Sequence, residues 1–282
     1  MTALLLGLAS AVSFGAADFL AGLLSRRAHF ALVGLVSQVS AATCACAALP
    51  WFGGAGPSAM ALGWGAASGL GGGVGSLALY RGLGHGQMSI VAPLSAVGGA
   101  GLPALAGLAL GERPSLLAVL GILLALPAVW LVARPAGRTG ASASTEVTDG
   151  LLAGAGFALL FIALDRAGDR SGLWPVAAGQ LASLVVLTGF VLTRRPARTR
   201  HRAGAGARIG AAVLVGAISV GATLLYFLAT HAGLLAVVAV LTSLYPAVTV
   251  VLAILVLHER ATRVQRVGLT LAVAAVTMIT IA

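Results

Sequence analysis

Residues 4–18 read LLLGLASAVSFGAAD and residues 151–165 read LLAGAGFALLFIALD. The runs align without a gap at an offset of 147 positions, matching Gly7 to Gly154, Phe14 to Phe161 and Asp18 to Asp165. Further along, the same offset carries Leu94 onto Leu241, Glu112-Arg113 onto Glu259-Arg260 and Gly121 onto Gly268; one position less carries Tyr80 onto Tyr226 and His85 onto His231. In so narrow an alphabet shared leucines mean little. Shared rare acids and aromatics mark an internal duplication, which must be recognised before any fold is assigned.

The duplicated material is made for lipid. Of 282 residues 59% are hydrophobic and 9% charged, with a mean hydropathy of +1.04, whereas a soluble domain carries about a quarter of its residues as charges. Ten apolar blocks follow one another, near 2–24, 30–50, 58–80, 88–110, 115–133, 150–168, 172–193, 208–229, 235–257 and 262–281. Each is close to the roughly 20 residues that cross about 30 Å of hydrocarbon as a helix. Barrel strands would alternate polar and apolar residues, and these blocks do not. Met1 to Leu24 lacks a basic n-region, so it is expected to be a permanent span rather than a cleaved signal. The polar stretch 134–149, RPAGRTGASASTEVTD, reads as a linker between a first repeat, 1–133, and a second, 150–282.

The 17 basic residues, all arginine, set the expected orientation. Fourteen lie in joints after odd-numbered spans: Arg26, Arg27, Arg81, Arg134, Arg138, six from Arg194 to Arg208, Arg260, Arg263 and Arg266; Arg113, Arg166 and Arg170 are the rest. The positive-inside rule puts the first group in the cytoplasm and both termini on the external side of an inner membrane. Five spans per repeat is an odd number, so duplication must insert the halves in opposite directions. Arginines scattered between apolar blocks, with few aromatics, do not form a nucleic-acid surface. Cys44 and Cys46 fit no metal or redox spacing and are expected to be small buried packing residues.

Polar groups within spans are few enough to weigh singly. An acid in an apolar span is costly unless paired, protonated or facing water, which makes Asp18 and Asp165 site candidates. Gln38 and Gln180 hold comparable positions in spans two and seven, and helix bridging and substrate contact are both open to them. Ser95, Thr242 and Ser243 can bond a ligand or their own helix. Tyr80, Tyr226 and Tyr245 offer phenol groups, Phe14 and Phe161 apolar walls. His85 and His231 are expected in solvated turns. Pro93, Pro103 and Pro246 should interrupt spans four and nine. Gly65, Gly69 and Gly73, with Gly71 and Gly75 on a neighbouring face, should let helices approach closely. Glu112 is expected to complement the dipole of the next helix from a tight joint, and Arg113 to anchor at headgroups. His258-Glu259 is not followed by the second histidine of H-E-x-x-H, no catalytic constellation converges, and no metal or cofactor is expected.

The segments Ala78 to Gly82, MSIVAPLSAVGGAGLPALAGLALGERPS (Met88 to Ser115) and LLAVVAVLTSLYPAVTVVLAILVLHERAT (Leu234 to Thr262) resemble EamA-type domains of the drug/metabolite transporter superfamily. The resemblance covers the chain as two such domains. It departs at Phe14-Gly15, where many relatives have Trp-Gly, and at Gly99, which lacks the proline of its counterpart Pro246. It implies an all-α membrane protein of ten helices in two inverted five-helix repeats, working by alternating access around a central cavity. Small metabolites are the implied cargo, amino acids foremost; sugar phosphates or nucleotide sugars, and a channel or scaffold role, are the alternatives. Proton coupling through Asp18 and export down the cargo's own gradient are both compatible with it.

Overall fold

The computed structural model describes residues 1–25, 30–52, 54–84, 88–133, 143–168, 170–194, 205–258 and 260–282. Eleven helices run through them: α1 (Thr2–Ser25), α2 (Phe30–Phe52), α3 (Ala59–Gly84), α4 (Met88–Ala109), α5 (Leu116–Val132), α6 (Ala143–Arg166), α7 (Trp174–Arg194), α8 (Ala205–Ala232), α9 (Leu235–Thr242), α10 (Tyr245–Leu257) and α11 (Arg263–Thr280). Seven spans, among them the α9–α10 pair taken as one, are long and apolar enough to cross a membrane; α5 is apolar and somewhat shorter. The glycine-rich α3 and the arginine-led α11 complete the ten by packing lengthwise against α6 and α7, and against α5.

Span nine is two helices because of Pro246. Its missing N–H cannot bond the carbonyl of Thr242, where α9 ends, and its ring would clash with that carbonyl in a continuous helix. The chain tightens through Leu244 N–H to Leu241 O and Ala247 N–H to Leu244 O before α10 begins. Pro93 and Pro103 have no such effect. They sit within a continuous α4, which Leu94 and Gly98 hold against Gly150 and Gly154 of α6.

The helix pairing is unchanged when the halves are exchanged. Helix α1 packs on α8 as α6 packs on α3; α2 packs on α8 as α7 packs on α3; α1 meets the α9–α10 span as α6 meets α4. The counterparts α5 and α11 touch each other, with Gly121 at Ile279 and Gly268 at Val132. Those contacts run in opposite sense along the two helices, so counterpart helices are antiparallel. The repeats are therefore inverted.

Small residues make the seams between repeats. Along α3, a side chain at Gly65 or Gly69 would overlap the carbonyl oxygens of Pro175 or Gly179 on α7, and one at Gly71 would press on Gly156 of α6. Since lipid offers helices little hydrophobic drive to associate, this backbone approach supplies the packing contact. Ser183 Oγ donates to Gly69 O at 2.8 Å, and Ser40 Oγ and Ser37 Oγ of α2 donate to Val213 O and Ala212 O of α8 at 2.7 and 3.0 Å.

Three expectations change. Helix α6 begins at Ala143, inside the stretch read as linker, because Asp149 is buried and paired with Arg81, Nε donating to its Oδ1 at 3.0 Å. That pair ties α3 of one repeat to α6 of the other. Cys44 is exposed on α2 rather than filling the core, while Cys46, partly buried, packs against the core cluster of α6, α8 and α9. His231 is not in a solvated turn but within the last turn of α8.

Candidate functional site

The bundle has two unlike ends. At the end bearing the joint between α4 and α5, all eight residues of α9 are buried. Phe161 and Leu164 of α6, Tyr226 and Phe227 of α8, and Leu235, Val238 and Ala239 of α9 form one apolar plug. Tyr226 donates its hydroxyl to Phe161 O at 3.1 Å, and the two rings lie 4.5 Å apart. His231 sits on the Phe227 ring at 4.5 Å. Its Nδ1 lies 2.7 Å from Phe227 O and so carries the proton, leaving Nε2 a buried acceptor without a partner among the described residues.

Glu112 fastens this end. Helix α4 closes with Gly111 N–H bonded to Leu108 O and Glu112 N–H to Gly107 O, with Gly111 left-handed at φ 93°. This is a Schellman turn, which favours glycine at the left-handed position because it has no Cβ to clash. It folds Glu112 back under α4, where its carboxylate accepts N–H bonds from Leu235 at 2.6 Å and Ala236 at 2.9 Å. The acid was expected to serve the helix that follows it. Instead α5 is capped by Ser115 Oγ, accepting from Ala118 N–H, and Glu112 caps α9 of the other repeat. Nothing in the spacing of Glu112 and Leu235 along the chain announces that meeting.

The opposite end, bearing most of the described arginines, is less covered. No residue of α10 is buried. Val251, Leu255 and Val256 of α10 are exposed, and its other residues are only partly covered. Helix α1 flanks α10, their backbones close at Gly15, where a side chain would come within 2.6 Å of Val248 Cβ. Phe14 faces Tyr245 with ring centres 6.4 Å apart. One turn on, Asp18 is exposed, without a hydrogen bond or ion pair among the described residues, and Gly22 faces open space.

Counterpart positions thus stand in unlike surroundings. Phe161 is buried and Asp165 half-buried, within electrostatic reach of His231 and Glu112; Phe14 is half-exposed and Asp18 exposed.

The other candidates divide similarly. Gln38 Nε2 donates to Gln180 Oε1 at 2.7 Å and Gln180 O at 3.0 Å, so this pair bridges the counterpart helices α2 and α7. Ser95 and Thr242 are buried, bonded to Ala92 O and Gly7 O. Ser243 Oγ is buried without a partner among the described residues, at the break in span nine. The structure brings Phe14 to Tyr245, with Asp18 one turn along α1 from Phe14, and gathers Phe161, Asp165 and Tyr226 at the other end. The Tyr80 side chain, His85 and Glu259 lie outside the described residues.

Residues 147–281 match the model of the EamA-like transporter family. The second repeat is an EamA-like transporter domain. That match, with seven described spans long and apolar enough to cross a membrane, supports a multi-pass membrane transporter of small molecules. The chain is similar over 99% of its length to a solved structure, covering 96% of that chain with a TM-score of 0.74 at 17% identity; that structure is described only as a crystal structure of a protein, and the likeness carries the fold. No curated protein matches the sequence.

Proposed function

We propose that this EamA-like protein exports small zwitterionic metabolites, amino acids first among them, by alternating access. The observation that carries the mechanism is the unlike state of counterpart positions. A duplicated bundle with one closed and one less covered end becomes its own reverse when the halves rock, and the same midpoint is then offered to the other side. With the positive-inside orientation, the less covered end faces the cytoplasm and the termini face out.

The exposed charge on the less covered half of α1 is an acid. Asp18 suits an ammonium group, Phe14 and Tyr245 supply an apolar and cation-attracting wall, and the Ser243 hydroxyl, without a partner among the described residues, lies at the helix break deeper in the bundle. An acid there disfavours sugar phosphates and nucleotide sugars, whose phosphates it would repel. Purified protein in liposomes preloaded with unlabelled amino acid should take up labelled amino acid by counterflow, and Asp18→Asn should cut that uptake about tenfold or more. Equal uptake of a sugar phosphate, or conduction without saturation or trans-stimulation, would sink the proposal.

A further inference from the structure

We propose that the start of α11 is a binding surface for an anionic phospholipid, whose phosphate is held by Arg260, Arg263 and Arg266. Arg263 and Arg266 stand three residues apart in the first turns of α11 and so share a face, and Arg260 lies in the joint just before the N-cap, Thr262. All three are exposed. None makes an ion pair or a side-chain hydrogen bond among the described residues, and no acid lies between Arg260 and Ala282. Nor does their charge serve the helix. A cation in the first turn stands at the positive end of the helix dipole, where it is unfavourable, and the N-terminus is already closed by the reciprocal box of Thr262 and Gln265.

The duplication supplies a control within the molecule. At the offset of 147, Arg260, Arg263 and Arg266 correspond to Arg113, Leu116 and Val119 around the start of α5. The two joints share a left-handed turn residue, Gly111 or His258, and an N-cap hydroxyl, Ser115 or Thr262. They differ by two charges. Leu116 is 77% exposed, which in a bundle made for lipid marks a position that faces the bilayer; Arg263 holds the same position on α11. Val264 and Val267 beside it, and Leu255 and Val256 on the preceding α10, are exposed as well. Three guanidinium groups without acids, set against a strip of exposed valine and leucine, match a molecule with an anionic head and apolar tails. Guanidinium forks take phosphate oxygens in pairs, and the arginine stems lie along the apolar strip. A nucleic acid or an acidic protein would use the charges and leave the valines uncovered. The arginine count predicts that this joint meets the cytoplasmic leaflet, where anionic lipids attract basic residues.

The proposal is independent of cargo and of the direction of transport. Native mass spectrometry of the purified protein with equal amounts of phosphatidylglycerol and phosphatidylcholine should show one phosphatidylglycerol retained in preference. Arg263→Gln and Arg266→Gln should each weaken that retention about fivefold, and Leu116→Arg with Val119→Arg should add a second retained molecule. Trp130 reports the place. Helix α5 runs against α11 with Val132 at Gly268, so Trp130 lies near this end. In phosphatidylcholine bilayers holding a minor share of brominated phosphatidylglycerol, a Trp51→Phe, Trp64→Phe, Trp174→Phe variant should show Trp130 quenched, and the added Arg263→Gln and Arg266→Gln changes should relieve it. The mass-spectrometric test does not depend on those tryptophan replacements. Equal retention of the two lipids, or a preference unchanged in the well-folded double arginine variant, overturns the site. Displacement of the lipid by glycerol phosphate at the same concentration would make it a site for soluble anions and overturn the lipid.

Discussion

At the residue scale, burial decides what each charge does. Arg81 and Asp149 form one ion pair, yet their exposures are 46% and 1%. Removing the arginine strands a carboxylate in the protein interior, whereas removing the acid leaves a guanidinium that still reaches water. Arg81→Leu should therefore cost about 3 kcal/mol, within the range for breaking a buried pair, and Asp149→Leu about 1 kcal/mol, as for a solvated one. Thermal unfolding of the two variants in detergent checks the order; a lower midpoint for Asp149→Leu would contradict it. Sequence alone gave this pair no signal, because Arg81 looks like one more joint arginine and Asp149 like the end of a polar linker. Asp18 and Asp165 were legible as acids inside apolar spans, and Phe14 with Tyr245 as aromatics. That one acid would stand open and the other beside a plug was not, since two aligned sequences carry no record of which end is closed.

At the element scale, two features of span nine have local causes that the sequence shows, and one depends on tertiary contact. Pro246 announces the break after Thr242, but Pro93 and Pro103, equally visible, leave α4 unbroken because α6 supports it along its length. The end of α10 is the sharper case. His258 takes the left-handed conformation that Gly111 takes at the end of α4, and a side chain there costs about 1 kcal/mol that glycine avoids. His258→Gly should raise the thermal midpoint by a few degrees, the size of shift that about 1 kcal/mol gives. An unchanged or lowered midpoint would mean that the imidazole makes a compensating contact. The glycine stripe of α3 was fully legible as a packing surface. Its partners, Pro175 and Gly179 on α7 and Gly156 on α6, were not, because four-residue spacing identifies a face and not the helix it meets.

For the whole molecule, periodicity and duplication combine in a way neither achieves singly. Apolar blocks give the number of crossings; a repeat with an odd number of spans gives the inversion; and the antiparallel contact of α5 with α11 agrees with both. Ten crossings return the chain to the side on which it began, and the arginine count predicts that this side is the outer one. Short epitope tags at Met1 and Ala282 should both be reached by antibody on intact spheroplasts, while a tag between Arg194 and Arg208 should be reached only after lysis. Orientation and crossing number fail separately in this test. Both termini protected with the arginine-rich joint accessible would reverse the bundle, turning its less covered end outward and its proposed export into uptake. Termini on opposite faces would instead make the number of crossings odd, and the antiparallel pairing of counterpart helices could then no longer be explained by five spans per repeat.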